Sequence, residues 1–585
     1  MRVFFELMWF FKQHKWRYIS GIALLLAVAA LNLIPPHAVG VVVNELGSRT
    51  LTRGALFFWL YVIAGTAVLS YALRYSWRML LFGAAMRLAA ELRRKLYEHF
   101  VRMAPQFYHD HRVGDLMAHA TNDVQAVEMV GTEGILMLVD SIATGVAVTL
   151  TMVLTISWQM TVVALLPMPI IAYATSKYGK KLHERFHGAQ RAFSELNEKV
   201  QENISGVRVI RAFGQEEAEN RAFAELSQSV VDRNVAVARI DSLFDPTIQL
   251  VVGLSYVLSV AAGSYFVVRG HLTVGALIAF TMYLGQLIWP MLAFGWLFNI
   301  VERGRASNDR ITTLLAAPAT VVDRVGARDE TPTGDISYAV RSFHYPDTTA
   351  QVLRDIAFTL PRGRTLGVVG RTGAGKSTLL RLLLREFDVQ DGDIRIGGDS
   401  VYDVTLAGLR RAIAYVPQDH YLFSATVAEN IAFAAPAARM EDIRNAARSA
   451  GIAEDIERFP DGYGTLVGER GVTLSGGQKQ RISIARALLL DAEILILDDA
   501  LSAVDAKTEA LILDSLRAQR SGRTTLIATH RLSAVEHADL ILTLDGGRVA
   551  EAGTHDELRR FGGLYEAMYQ RQQLESLVEA GGATA

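Results

Sequence analysis

GRTGAGKST, residues 370–378, decides how the second half of this chain folds. It follows RTLGVVG, a short β-rich run, and opens the apolar-periodic STLLRLLLREF, so strand, glycine loop and helix come in the order a phosphate-binding loop requires. Gly370, Arg371, Thr372, Gly373, Ala374 and Gly375 form the loop, whose small residues let backbone N–H groups wrap phosphate oxygens. The helix that begins beyond it adds a positive partial charge. Lys376 is placed to reach the β and γ phosphates of a nucleotide. Ser377 would offer its hydroxyl to magnesium, beside Thr378.

Further along, ILILDDALSAVD runs from Ile494 to Asp505. An apolar run ending in an acid predicts a buried strand that presents a carboxylate. Asp498 would hold the magnesium shell, and Asp499 is placed to orient the attacking water. Between the two motifs lie VPQDHYLF, with Gln418, and GVTLSGGQKQRISIARALLL. In the latter, Ser475, Gly476, Gly477 and Gln478 open an amphipathic helix and so build a second anion-binding terminus. One nucleotide needs only one cradle, so the second requires a reason. IATHRLS adds His530 at a strand end, a donor for a γ-phosphate.

The first half is different. The 585 residues are too many for one compact domain. They are 51% hydrophobic and only 20% charged, with a mean hydropathy of +0.22, a balance that points to a membrane. Formal net charge is -1 without a run of like charge, so no nucleic-acid partner is indicated. With no cysteines, disulfides and thiolate metal sites are excluded. His109 and His111 in YHDHR read as a solvated loop, because no further ligands accompany them.

Five runs lack Asp, Glu, Lys and Arg: 18–44, 54–73, 141–176, 246–268 and 270–301. About 20 such residues cross a bilayer as a helix. The third run has ISWQM in its middle and fits two helices with a turn near Ser157 and Trp158, giving six spans. The long loops, 74–140 and 177–245, carry nineteen Lys and Arg, whereas the short connections carry only Arg49, Arg53 and Arg269. The long loops and both termini are therefore expected on the cytoplasmic side of a plasma or inner membrane. MRVFFELMWFFKQHKWRY lacks a signal peptide's features and reads as an interfacial helix. The loops keep helical periodicity, with expected breaks at HRVGDLMAH around Gly114 and at ISGVRVIRAFGQEE around Gly206 and Gly214.

The order GRTGAGKST, Gln418, LSGGQ, ILILDD, SAVD, His530 resembles the nucleotide-binding domain of ATP-binding cassette (ABC) transporters, with Tyr345 of SFHYP at the adenine-stacking position. LSGGQ separates that family from other P-loop proteins. Six spans, TNDVQ near Asp123 and ISGVRVIRAFGQEE resemble its exporters, and the likeness covers nearly the whole chain. It implies an α-helical six-span transmembrane domain of exporter type, with helices extended into the cytosol, plus an α/β P-loop domain. The expected boundaries are 1–310 for the membrane domain, 311–334 for a polar linker, 335–570 for the nucleotide-binding domain and 571–585 for a tail. It also implies ATP and Mg2+, with Ser377, Gln418 and Asp498 around the metal, Asp499, Gln418 and His530 in catalysis, and Asp505 at the nucleotide. The working unit would be a dimer in which each ATP lies between one chain's P-loop and the other's LSGGQ, the reason for the second cradle. The loop tips resemble coupling helices that meet the nucleotide domain near Glu469 of VGERG.

Family members competent for hydrolysis usually carry Glu where this chain has Asp499. One methylene less sets the carboxylate about 1.5 Å back from the water, and a misplacement near 1 Å can cost about a hundredfold in rate. The resemblance is thus closest to the weakly hydrolysing subunit of bacterial heterodimeric multidrug exporters, with a second half-transporter chain as partner. The alternatives are a homodimeric lipid or drug exporter with Asp499 as working base, and an ATP-gated regulatory membrane protein. Tyr256, Tyr265, Met282, Tyr283, Trp289, Met291 and Trp296 suit a small amphipathic or hydrophobic cargo and equally suit lipid. Asp140, near the inner end of the third span, is the one acid so placed.

Overall fold

A computed structural model describes residues 2–346, 348–468 and 474–582. The chain divides into two units, Met1–Val101 with His111–Ala317, and Arg102–Asp110 with Pro318–Ala585.

The first unit is helical. Among the described residues, five helices are long and apolar enough to cross a membrane: Lys15–Gly47, Arg53–Arg102, Val113–Leu165, Glu216–Val268 and Val274–Ala316. The third contains the expected break. Ser157 is extended (φ -165°, ψ 122°) and its hydroxyl accepts from the N–H of Met160, capping the helix Trp158–Leu165. That helix and Met168–Ser205 beyond Pro167 carry the second half of the uncharged run 141–176, where the sixth span is expected. At 50 residues, Arg53–Arg102 is about 75 Å long, more than twice a hydrocarbon core, so it continues well past the bilayer as its periodicity predicts. The last helix, Ile288–Ala316, extends past position 310. At the N-terminus two short helices, Arg2–Glu6 and Met8–Gln13, bury Val3 and Phe10, with Leu7 buried between them, and leave Phe5 and Trp9 exposed, the two-faced pattern of an interfacial segment.

Small residues let these helices approach. Gly275 and Gly40 face each other where Val274–Gln286 packs on Ile34–Gly47, and a Cβ added to Gly275 would lie 1.9 Å from the Gly40 carbonyl oxygen. Asn44 accepts from the Gly275 N–H at 2.8 Å across the same seam. A buried carboxylate makes a second tie. Asp123 accepts from Ser307 Oγ at 2.8 Å, from His119 Nδ1 at 2.6 Å and from Arg310, joining the third span's helix to the last.

The loop breaks fall partly where expected. In the second long loop, Gly206 ends Met168–Ser205, the short helix Val207–Ala212 follows, and Gly214 at φ 62° turns the chain into Glu216–Asp241. In the first loop the short helix is Pro105–Asp110, ahead of the expected Gly114, which lies inside Val113–Ala118. Pro105 explains the shift: proline suits a first helical turn and disfavours the helical region for the residue before it.

The second unit is α/β. Its strands are β1 (Ile336–Phe343), β2 (Leu353–Leu360), β3 (Thr365–Gly370), β4 (Asp391–Ile396), β5 (Asp399–Ser400), β6 (Ile413–Val416), β7 (Ile494–Asp498), β8 (Thr524–Ala528), β9 (Leu540–Asp545) and β10 (Arg548–Gly553). An antiparallel sheet has the order β2-β1-β4-β5, and a six-stranded sheet has the order β10-β9-β3-β8-β7-β6, parallel from β9 to β6. Every residue of β7 and β8 is buried, as a parallel sheet covered on both faces demands. Alternation divides β7 between two cores: Ile494 and Ile496 join the one under the antiparallel sheet, Leu495 and Leu497 the one under the helices. Each such side chain contributes roughly 1.5–3 kcal/mol of burial. The helix Leu564–Gly582 runs through position 571.

Candidate functional site

Parallel strands release their loops at one end of the sheet, and this gathers the site. β3 ends at Gly370, β7 at Asp498, and β8 two residues before His530. Gly370 has φ 148°, and a Cβ there would lie 2.3 Å from the Leu544 carbonyl oxygen on neighbouring β9, so this position tolerates no side chain. The loop then enters the helix Lys376–Leu383.

Lys376 folds back over the loop. Its Nζ donates to the carbonyls of Gly370 at 2.9 Å and Arg371 at 3.1 Å. Burial lowers its pKa, against the pull of Asp499 and Asp498, which raises it. Ser377 Oγ donates to Asp498 Oδ1 at 2.8 Å, and Tyr415 Oη donates to Oδ2 at 3.2 Å. Asp498 is 2% exposed, and burial pushes its carboxyl above the ordinary range despite those bonds and Arg381. A buried, acceptor-rich carboxylate beside a hydroxyl is the hard-oxygen donor set that magnesium takes, so the residues fit the ion.

Asp499 turns the chain. It has φ 50°, and its N–H donates to the Ala528 carbonyl at 2.8 Å. Its Oδ1 lies 2.7 Å from His530 Nδ1, so acid and imidazole already form a pair. Tyr345 is joined to the loop by a 2.9 Å hydrogen bond between its hydroxyl and Thr378 Oγ1, and its ring meets Phe343 and Phe387 edge-on. Gln418 is exposed in the loop after β6, which neighbours β7; among the described residues no hydrogen bond joins it to Ser377 or Asp498.

The second anion-binding terminus stands apart from the first. Ser475 caps the helix Gly476–Leu490: its hydroxyl accepts from Gln478 N, while Gln478 Oε1 accepts from Ser475 N, a complete capping box. Ser475 and Gly476 are exposed, and among the described residues no hydrogen bond links 475–478 to the loop 370–378. Asp505 caps the next helix, Ala506–Gln519, accepting from Thr508 N at 3.0 Å and Thr508 Oγ1 at 2.8 Å. Glu469 lies outside the described residues.

Three residues join the site that sequence reasoning passed over. Tyr415 holds Asp498. Gln480, fully buried, donates to the Asp499 carbonyl at 3.4 Å and accepts from Ala503 N at 3.0 Å, fastening the Ser475 helix to the segment behind Asp499. Arg531 donates to the carbonyls of Ser502 and Val504, both at 2.9 Å, and to Glu509. Gln480 had a signal: it lies four residues before Ile484 on the helix's apolar stripe, and a polar side chain there needs buried partners.

Comparison with known proteins places the chain in a family. The family model described as ABC transporter transmembrane region matches residues 18–291, and the one described as ABC transporter matches 353–502. The chain is 48% identical over 579 residues to the multidrug resistance-like ATP-binding protein MdlA of Escherichia coli (strain K12), covering 99% of this chain and 98% of that protein. It is 47% identical over 580 residues to the probable multidrug resistance ABC transporter ATP-binding/permease protein YheI of Bacillus subtilis (strain 168), covering 99% of each. An ATP-dependent lipid A-core flippase of Syntrophus aciditrophicus (strain SB) is 34% identical over 494 residues, or 84% of this chain and 82% of that protein. Among solved structures, a bacterial Atm1-family ABC exporter with ATP bound matches with a TM-score of 0.80 at 28% identity, over 95% of this chain and 98% of that one.

Proposed function

Since this chain belongs to the ABC transporter family, and is an integral membrane ATPase coupled to transmembrane transport, we propose that it is one subunit of a heterodimeric exporter whose own ATP site hydrolyses slowly. The observation that carries the reading is Asp499. It occupies the water-orienting position with a side chain one methylene short, and one of its oxygens is already engaged by His530. Binding does not suffer in the same way. Lys376 and the loop amides hold phosphates, and Lys376 would exchange its two carbonyl contacts for phosphate oxygens. Tyr345 stacks the base. Ser377, Asp498 and Gln418 would hold Mg2+, which when bound shields phosphate charge. Ser475–Gln478, unattached to its own loop, completes the site of the partner chain.

The cargo in this reading is an amphipathic or hydrophobic molecule, taken from the cytoplasm or inner leaflet. Relatives named for multidrug resistance and for lipid A-core flipping support that class. The basic long loops support a cytoplasmic nucleotide domain and termini.

Crossed substitutions test it. In the reconstituted two-chain complex, Ser475→Arg fills the space where the helix terminus meets the partner's γ-phosphate and should abolish ATPase activity. Asp499→Asn should leave most turnover, because it removes a carboxylate that was already too short. If Asp499→Asn silences the complex while Ser475→Arg is tolerated, Asp499 is a working base and the homodimer is favoured.

A further inference from the structure

The first span breaks between Lys15–Leu31 and Ile34–Gly47, and the break is where polar groups from four spans meet. Pro36 has no N–H, which leaves the Asn32 carbonyl without its helical donor. Gln286 supplies one from the last span, Nε2 to Asn32 O at 2.9 Å, and Tyr283 Oη donates to Leu33 O at 2.6 Å. The amide oxygen of Gln286, Oε1, is buried with no partner. From the second span, Arg74 brings Nη2 to within 3.5 Å of Asn32 Oδ1. From the third, Asp140 has only the Thr144 hydroxyl at 3.4 Å, with the Arg74 guanidinium near enough for its charge to act on the carboxylate.

Helical rise places Asn32 about 22 Å from Gly47 and Arg74 about 31 Å from Arg53, the residues that flank the first short connection. The cluster therefore lies towards the inner face of the bilayer, with Arg74 at the edge of the hydrocarbon core. Ionisable groups within a membrane span commonly pair with one another. Here, among the described residues, Arg74 and Asp140 form no ion pair, and each holds only a long, weak contact. A cation and an anion that do not bond each other, linked through Asn32 to a glutamine whose amide oxygen is unpartnered, present two poles to a ligand that carries both charges.

We propose that this cluster is a headgroup site for a zwitterionic amphiphile, whose phosphate or carboxylate meets Arg74 and whose ammonium group meets Asp140. This rests on the exporter reading and adds the substrate's charge pattern to it. The chemistry is shared by a membrane lipid and a foreign zwitterionic detergent-like molecule, so both enter the test.

The full-length chain in phosphatidylglycerol nanodiscs is titrated by thermophoresis with four twelve-carbon probes: lauroyl-lysophosphatidylcholine, dodecyl sulfobetaine, dodecylamine and dodecanoate. Wild type should bind at least one zwitterion about tenfold more tightly than either singly charged probe. Binding of both zwitterions supports a site for the charge pattern itself, and binding of the lysolipid alone supports a lipid cargo. Arg74→Gln should erase the preference and leave dodecylamine bound best; Asp140→Asn should leave dodecanoate bound best. A wild type that does not discriminate overturns the proposal, whether or not the variants fold, and so do variants that bind ATP normally and keep the wild-type ranking. Absence of ATP-dependent transport of any probe by the reconstituted two-chain complex in proteoliposomes, with the binding ranking intact, would count against the exporter reading instead.

Discussion

Asp498 keeps a carboxylate where burial resists its charge. With its pKa raised, the empty domain binds this proton more readily than the unfolded chain does, so the ionised group costs stability above its folded pKa. That cost fades as pH falls through the folded value towards the unfolded one. Asp498→Asn should therefore raise the melting temperature of the nucleotide-free protein at neutral pH, with the gain shrinking on acidification. The same variant should lose the extra stability that Mg-ATP gives wild type, because the metal loses its anion. Thermal unfolding with and without Mg-ATP between about pH 5 and 8 reads both effects; a nucleotide-free variant less stable than wild type would contradict this account. Stability conceded for ligand affinity is what a binding carboxylate should display.

Whole elements were legible where one physical signal dominated. β7 was readable because ILIL runs into Asp498, and the helix at Ser475 because its cap precedes an amphipathic run. In the first long loop the helix does break inside HRVGDLMAH, at His111 and Arg112, but the short helix before that break starts at Pro105, because proline suits a first helical turn. The seam between Val274–Gln286 and Ile34–Gly47 was not readable at all: nothing in either segment says which glycine faces which helix. It is testable now. Gly275→Ala forces a methyl against the Gly40 carbonyl and should destabilise the membrane unit by a few kcal/mol. Gly253→Ala, at a helical site with nothing within 4 Å, should be neutral or stabilising by up to about 1 kcal/mol. Thermal unfolding monitored by size-exclusion chromatography separates the two, and equal losses would argue against the packing described.

At the scale of the whole molecule, one chain holds a complete phosphate loop and a complete capped signature that do not meet. The purified chain alone should bind ATP yet hydrolyse it slowly, and adding its partner should restore turnover. Fast cooperative hydrolysis by the isolated chain, near the roughly 10 per second median for enzymes, would favour the homodimer. Gln480 adds a consequence for the order of events. Its two hydrogen bonds connect the helix that starts at Ser475 to the backbone of Asp499 and Ala503. In the proposed heterodimer, a phosphate reaching that helix from the partner would pull on the peptide that aims this chain's own acid, and the slow site would register whether the fast one is loaded. Such a site would act as a timer for the cycle.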